Sequence, residues 1–431
     1  MRRAIFFLAA CSLLVTQASA ENALPQISQL KATIDTVKKQ VSITYRLKDT
    51  DNKRFKIVPF LQTARNEIVA IESNELTGDV GEVKGIGVKQ IIWRYSQAGG
   101  EIGKYKMGIW VDDNAVVDLQ EVLAKVDSNH LKKDIEEMSV KRHYSNAREN
   151  LEIIRQRLET AFGNSHLQVE RQPFDFETYK AANVVGQLNG IKGEKPVIVL
   201  GAHFDAVRNS YGSDDNASGV AGMLEVMRVL SQYQLNSSVA FVGFDQEEQG
   251  FPGSQHYVAS HPDKTRIDFM INFDMIGYYD EKAGSQQFPA DLKDLFPVAY
   301  KKVADNNFKG DFILSVGNEG SAELVKRFEQ SSAENARDLS VVSLVVPDDG
   351  KFAPDYFRAS DFVSFWDAGV KALSIGDTGD VRNGNYHKPT DLYQTVNIAL
   401  VYNVVKATVA TIANLGGIRH ATSQTCAIDI L

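Results

Sequence analysis

The chain has 431 residues, with 43% hydrophobic and 24% charged side chains. That balance excludes disordered, collagen-like and coiled-coil polypeptides, and the length suits two or three domains with a sizeable core. Lysine and arginine total 47 against 55 acidic residues, a formal charge of −8, so no phosphate-tracking basic surface is expected and nucleic acid is excluded as the expected partner.

Met1-Arg2-Arg3, an apolar run from Ala4 to Val15 and then Ala18-Ser19-Ala20 open the chain, the charged, apolar and small-residue order of a secretory leader. A signal peptide over residues 1–20, cleaved after Ala20, makes the mature protein secreted or periplasmic. Its apolar run is shorter than the roughly 20 residues a membrane span needs, and no other stretch of that length is uncharged, so no transmembrane segment is expected in the mature chain. Lipoprotein processing at Cys11 is the competing reading. Cys11 and Cys426 are the only cysteines, so the mature chain forms no internal disulfide and relies on packing or on bound metal.

From Gln40 to Leu47 apolar residues alternate strictly, at Val41, Ile43, Tyr45 and Leu47, and the pattern returns at Tyr105, Met107, Ile109 and Val111. This is the period of half-buried strands. With Phe55 to Leu61 and Val88 to Tyr95 between them, the spacing predicts an antiparallel sandwich over residues 21–112 with Trp93 and Trp110 in its core. The segment resembles the immunoglobulin-like modules attached to some bacterial secreted enzymes. Beyond Asp112-Asp113-Asn114 the period turns helical, clearest in Leu151, Ile154, Leu158 and Phe162, and a second domain is predicted over residues 113–431. Short apolar runs at Val197 to Gly201, Val239 to Phe244, Phe269 to Phe273 and Ala372 to Ile375 alternate with helical stretches, among them Ala217 to Tyr233 and Asn397 to Leu415. Such runs predict an α/β domain, a mixed and mostly parallel sheet with helices on both faces.

Ligands in open α/β folds collect beyond the carboxyl ends of the strands. There the first run leads into His203 and Asp205, the second into Glu247 and Glu248, and the third delivers Asp274. Asp215 stands in a polar loop before a helix, and His387 follows the last run after a glycine-rich connection. Two imidazoles with several carboxylates and no thiolate suit zinc first, then cobalt or manganese. A carboxylate shared between two ions can hold them about 3.5–4 Å apart, and Asp215 is the expected bridge. Of the adjacent Glu247 and Glu248, one is expected to bind metal while the other accepts a proton from water. Each residue taken singly has a plain structural reading, a helix cap or a solvated face; their convergence at strand ends favours the metal site, because clustered acids repel one another unless a cation joins them.

Gly201-Ala202-His203-Phe204-Asp205, Ser213-Asp214-Asp215-Asn216-Ala217-Ser218-Gly219, Glu247-Glu248-Gln249-Gly250 with Gly253-Ser254, Asn272-Phe273-Asp274-Met275 and Tyr386-His387 resemble, in this order, the signature of the secreted dizinc aminopeptidase family. The resemblance covers about residues 120 to 415. It implies a zinc exopeptidase-like fold and two zinc ions, one held by His203 and Asp274, the other by Glu248 and His387, with Asp215 bridging. It further implies Glu247 as general base, Tyr386 as oxyanion donor and Asp205 behind His203, and an aminopeptidase acting on peptides with a free N-terminus. Ser360-Asp361 is similar to a further family segment, but Phe362 replaces its histidine and Arg358 stands one residue too far away, so neither Arg358 nor Asp361 receives a catalytic role. The other six histidines are read as structural or exposed, and Trp366 as packing. Competing readings are a one-zinc N-terminal glutaminyl cyclase of the same fold and a non-hydrolytic metal-binding receptor or adhesion module. Nothing in the residues fixes the oligomeric state.

Overall fold

The computed structural model describes residues 24–50, 54–63, 68–95, 105–191, 196–289, 291–350 and 354–427. The expected leader and Cys11 lie outside the described residues. Strands β1 (Gln26–Asp35), β2 (Gln40–Lys48), β3 (Arg54–Gln62), β4 (Ile68–Ala70), β5 (Leu76–Gly78), β6 (Gly81–Lys84), β7 (Gly87–Arg94) and β8 (Lys106–Asp112) form two antiparallel sheets. One runs β1-β2-β7-β5; in the other β3 pairs with β4, β6 and β8. Val41, Ile43, Tyr45 and Leu47 meet Met107, Ile109, Val111 and Trp93 in one core between the sheets, because a pleated strand sends alternate side chains to one face. Trp110 is not in that core. Its neighbours Ile109 and Val111 already take the inner face, so Trp110 points outward, stacks on Phe60 with ring centroids 4.1 Å apart, and packs with Ile68 against Ile191.

The second unit opens with α1 (Leu119–Leu123), α2 (Ser128–Met138) and α3 (Arg148–Asn164). Strands β9 (Gln168–Phe176), β10 (Tyr179–Leu188) and β11 (Val197–His203) precede α4 (Gly219–Leu230), then β12 (Gln234–Leu235), β13 (Ser238–Phe244), α5 (Pro252–Ala259) and β14 (Ile267–Phe273). Helices α6 (Leu292–Leu295) and α7 (Pro297–Asp305) lead to β15 (Phe312–Asn318), α8 (Ala322–Asn335), β16 (Ser340–Val346), α9 (Phe362–Asp367), β17 (Ala372–Gly376) and α10 (Ile398–Gly416). Eight of these strands form one sheet in the order β16-β15-β17-β14-β11-β13-β10-β9. Its centre, β17, β14, β11 and β13, is parallel. At one edge β10 and β9 run antiparallel, and at the other the parallel pair β15–β16 is set antiparallel to β17.

Both faces are covered, as the apolar central runs require. Ile198, Leu200 and Ala202 join the core shared with α2, α3, α4, α8 and α10, while Val199 and Val242 join that of α5 and α9. Helix α10 is the one described helix long and apolar enough to cross a membrane; here Val401, Val404, Val405 and Val409 are fully buried in the first of these cores. Trp366 packs as expected, edge-on to Phe362, and its indole N–H donates to Ala372 O at 3.0 Å.

After α10 the chain runs through β18 (Ile418–Arg419), paired with β12, into β19 (Ala421–Ala427), which joins the N-terminal sheet along β8. The sandwich therefore does not end at residue 112 as expected. Polar Ala-Thr-Ser-Gln-Thr-Cys-Ala carries no apolar alternation, so its strand identity comes from the ladder with β8 rather than from its own side chains.

Candidate metal centre

The parallel order β14-β11-β13 sets three strand ends side by side. His203 closes β11, buried to 1% exposure and in register with Phe244 of β13. Asp274 follows β14 directly, and Glu247 and Glu248 lie on a single turn just beyond β13. The His203 Nε2 atom lies 3.3 Å from Asp215 Oδ1, 3.4 Å from Asp274 Oδ1 and 3.8 Å from Glu247 Oε2. His387 Nε2 lies 3.2 Å from Asp215 Oδ2 and 3.2 Å from Glu248 Oε2. The two oxygens of Asp215 thus face two different imidazoles, each accompanied by a further carboxylate, and ligand atoms of His203, Asp215 and Asp274, and of Asp215, Glu248 and His387, lie within 4.8 Å of one another. All five residues expected to ligate metal are brought together.

Burial first, then the charge of Asp215, pushes Glu248 up to about 7. Glu247 is raised well above the ordinary carboxyl range by burial, with Asp274 and Glu248 adding to it. Against burial, which acts the other way, Asp215 and Glu248 raise His387 to about 10. Burial opposes but the two imidazoles prevail at Asp215, whose carboxyl is lowered. Glu247, Glu248 and His387 are thus all held toward their protonated forms. A divalent cation would take the place of those protons, and mixed imidazole and carboxylate donors are what zinc, cobalt or manganese accept. The residues present fit such ions.

Support for the cluster comes from polar groups behind it. Asp205 lies 3.4 Å from His203 Nδ1 and accepts the Glu247 and Glu248 N–H groups at 3.0 and 3.3 Å, so one carboxylate holds the turn bearing the paired glutamates close beside that imidazole. Asp391 accepts the N–H groups of Asp214 and Asp215 at 2.9 and 3.1 Å. Asp214 in turn accepts from Asn383 at 2.7 Å and from Gly277 N–H at 2.9 Å, which ties the Asp215 loop to the loop that carries His387. Asn216 donates to Phe273 O and accepts from Met275 N–H, flanking Asp274 on both sides. Tyr386 stacks on His387 with ring centroids 3.7 Å apart and lines the cleft with Glu247, Glu248 and Asp274.

Arg142 went unremarked in the sequence, where it is one basic residue between Lys141 and His143. Its guanidinium is fully buried and donates to Phe204 O at 2.7 Å, Tyr211 O at 2.6 Å, Gly212 O at 2.7 Å and Asp215 O at 3.3 Å, as well as to Met138 O and Val140 O. The whole segment from His203 to Asp215 is wrapped around this one cation. Gly212 has φ 58°, and a Cβ there would lie 2.6 Å from Arg142, so the wrap also needs glycine. Asp361, assigned no role, is fully buried; burial pushes its carboxyl to about 7, and it faces the charges of His203, Asp205 and Asp274. Arg358 is spent elsewhere, on Asp367 at 2.7 Å and Gly350 O at 2.9 Å.

Residues 183–412 match Peptidase family M28. The chain is 31% identical over 280 residues to the uncharacterized protein YfbL of Escherichia coli, covering 62% of this chain and 81% of that protein. It is 29% identical over 263 residues to leucine aminopeptidase 2 of Arthroderma otae, covering 58% of this chain but only 46% of the fungal protein. Among solved structures it is similar to BSAP, a zinc aminopeptidase from Bacillus subtilis, with TM-score 0.54, 14% identity and coverage of 68% of this chain and 96% of BSAP. LapB from Legionella pneumophila gives TM-score 0.55 and 15% identity, covering 84% of this chain and all of that one.

Proposed function

Because the chain belongs to peptidase family M28, we propose that it is a metallo-aminopeptidase, acting outside the cytoplasm, that releases the N-terminal residue from peptides. The observation that carries this reading is Asp215, whose two oxygens face His203 and His387 separately. His203 and Asp274 would hold one zinc ion, Glu248 and His387 a second, and Asp215 both. Bound there, the ions supply Lewis acidity toward the scissile carbonyl and make water at the site more acidic.

The chain's own groups do the rest. Glu247 is buried beside His203; it is outside the two sets that share Asp215 and lies with His203 and Glu248 in a third. It accepts the proton of the attacking water as the water oxygen bonds to the carbonyl carbon, then passes that proton to the amine nitrogen as the C–N bond breaks. The Tyr386 hydroxyl donates to the developing oxyanion. Asp205 fixes the orientation of the His203 ring. A free α-ammonium group is drawn to the carboxylates of the cleft.

The test is metal content per purified chain, together with kinetics of wild type and Glu247→Gln on aminoacyl anilides and on peptides beginning with glutamine. About two metals per chain, aminoacyl release, and a loss of turnover by a factor of about 10²–10⁴ in the variant with metal retained support the reading. One metal with cyclisation of the N-terminal glutamine would replace it by a cyclase, and full metal without turnover would leave a binding module.

A further inference from the structure

His203, Asp274 and Glu248 are placed by the sheet. The first ends β11, the second follows β14 and donates its N–H to Ile375 O at 3.1 Å, and the third sits on the turn that Asp205 holds. His387 has no such support. It lies in a loop over residues 377–391 that contains no strand, so its place depends on what grips that loop. Asn383 ties one side to Asp214. Arg382, only 7% exposed, holds the other side by reaching into the connection between β14 and β15. Its Nε donates to Gln286 Oε1 at 2.8 Å and its Nη1 to Phe312 O at 2.7 Å, with the guanidinium carbon 4.4 Å from the centre of the Phe312 ring. The same Gln286 oxygen, on a buried side chain, accepts from Thr378 Oγ1 at 3.0 Å. Thr378 has φ 82°, a conformation that a β-branched residue keeps only where its surroundings hold it. Tight turns lead from this clasp to the imidazole: the N–H groups of Arg382 and Asn383 both donate to Gly379 O, at 3.0 and 2.7 Å, and the Tyr386 N–H donates to Asn383 O at 3.1 Å.

We propose that Arg382 and Gln286 are positioning residues for His387, and that their clasp sets the metal affinity of Asp215, Glu248 and His387 without acting on the pair His203 and Asp274. The proposal rests on the two-ion reading above and goes beyond it, because occupancy of one ion site then depends on the connection between β14 and β15, which supplies none of the five ligands. A ligating side chain must be held to within about 0.5 Å of its productive place. Without the guanidinium, Gln286 Oε1 and Phe312 O lose a donor and the loop is tied on the Asp214 side alone. A lysine in place of Arg382 reaches one acceptor at a time, whereas the planar fork serves two in fixed geometry.

The experiment strips the full-length protein of metal with chelator and titrates it with Co²⁺, followed by calorimetry and by cobalt absorption. Arg382→Met and Gln286→Met are each expected to weaken one binding step about 10–100-fold, as loss of a group that orients a metal ligand does, and to leave the other within about twofold, the scatter of independent effects. Either variant serves if the other does not fold. Two further backgrounds identify the step: Arg382→Met should have no effect on the site that remains in His387→Ala and should weaken the one that remains in His203→Ala. Gln286→Glu keeps an acceptor for Arg382 and Thr378 and should recover most of the affinity, which general destabilisation would not allow. Equal weakening of both steps, or of neither, in a protein that binds two ions and releases aminoacyl groups overturns the proposal and leaves the aminopeptidase reading standing. Selective weakening in a protein that turns over no aminoacyl anilide keeps the clasp and removes that reading, and a wild type that binds a single ion removes both the clasp and the two-ion site.

Discussion

Replacing Arg142 by methionine should loosen the segment between His203 and Asp215. Methionine is apolar and unbranched and fills most of the space, so the main loss is polar. Carbonyls of Phe204, Tyr211 and Gly212 lose donors at 2.6–2.7 Å. Leaving a buried acceptor without its donor costs about 1–3 kcal/mol. Gly212 O keeps a second donor, the Ala217 N–H at 3.0 Å, and relief from burying a full charge offsets part of the rest, so the net destabilisation is about 3–5 kcal/mol, the range for removing one partner from a buried charged network. Metal affinity should fall by about 10–100-fold, as it does when a group that orients metal ligands is removed. Urea unfolding of the metal-free protein and competitive chelator titration measure the two quantities. Arg142→Lys keeps the charge but not the planar fork of donors, so it should recover only part of the affinity. A methionine variant within about 1 kcal/mol of wild type, binding metal as tightly, would refute the view that this cation shapes the site.

Metal binding should release protons: His387 is held up to about 10 and Glu248 up to about 7 in the metal-free protein, so affinity for zinc measured by competition rises with pH until both have lost them. For the same reason the metal-free protein should lose stability as pH rises, since a group whose folded pKa is raised contributes stability that is full below its unfolded pKa and gone above its folded one; Tm followed between the ordinary carboxyl range and about 10 should fall, and added zinc should reverse the trend. Asp391→Asn leaves one oxygen for the two N–H groups it now serves at 2.9 and 3.1 Å, so metal affinity should drop about tenfold or more without loss of fold by circular dichroism. Gly108→Ala would place a Cβ 2.2 Å from the Phe60 ring and should cost about 1–3 kcal/mol in urea unfolding.

The candidate metal ligands are legible because each sits within a few residues of a strand end, or of a loop with a strong turn signal, and a continuous apolar run makes the strand end visible. Once His203, Glu247 and Asp274 were placed on parallel strands, the sheet order had little freedom in how it brought them together. Arg142, Asp391 and Asn383 were not legible. Each acts through a backbone carbonyl or N–H, or through one polar side chain, of a segment distant in sequence, and no local pattern marks such a residue. Asp361 was visible within a family-like segment, but its burial against the histidine side of the cluster follows from how α9 packs, which the missing histidine at Phe362 obscured. The misplacement of Trp110 has a simpler origin: strict alternation through Ile109 and Val111 already assigned it to the opposite face.

The pairing of β19 with β8 makes the order of synthesis matter. Residues 421–427 follow the first eight strands only after the whole of the second unit, so the edge of β8 is open until they pair with it. An unpaired edge is a template for association with other chains, and a contact this remote in sequence is among the last to form. The strand at residues 421–427 therefore covers that edge, and a cut there would disturb the N-terminal sheet rather than the helix next to it.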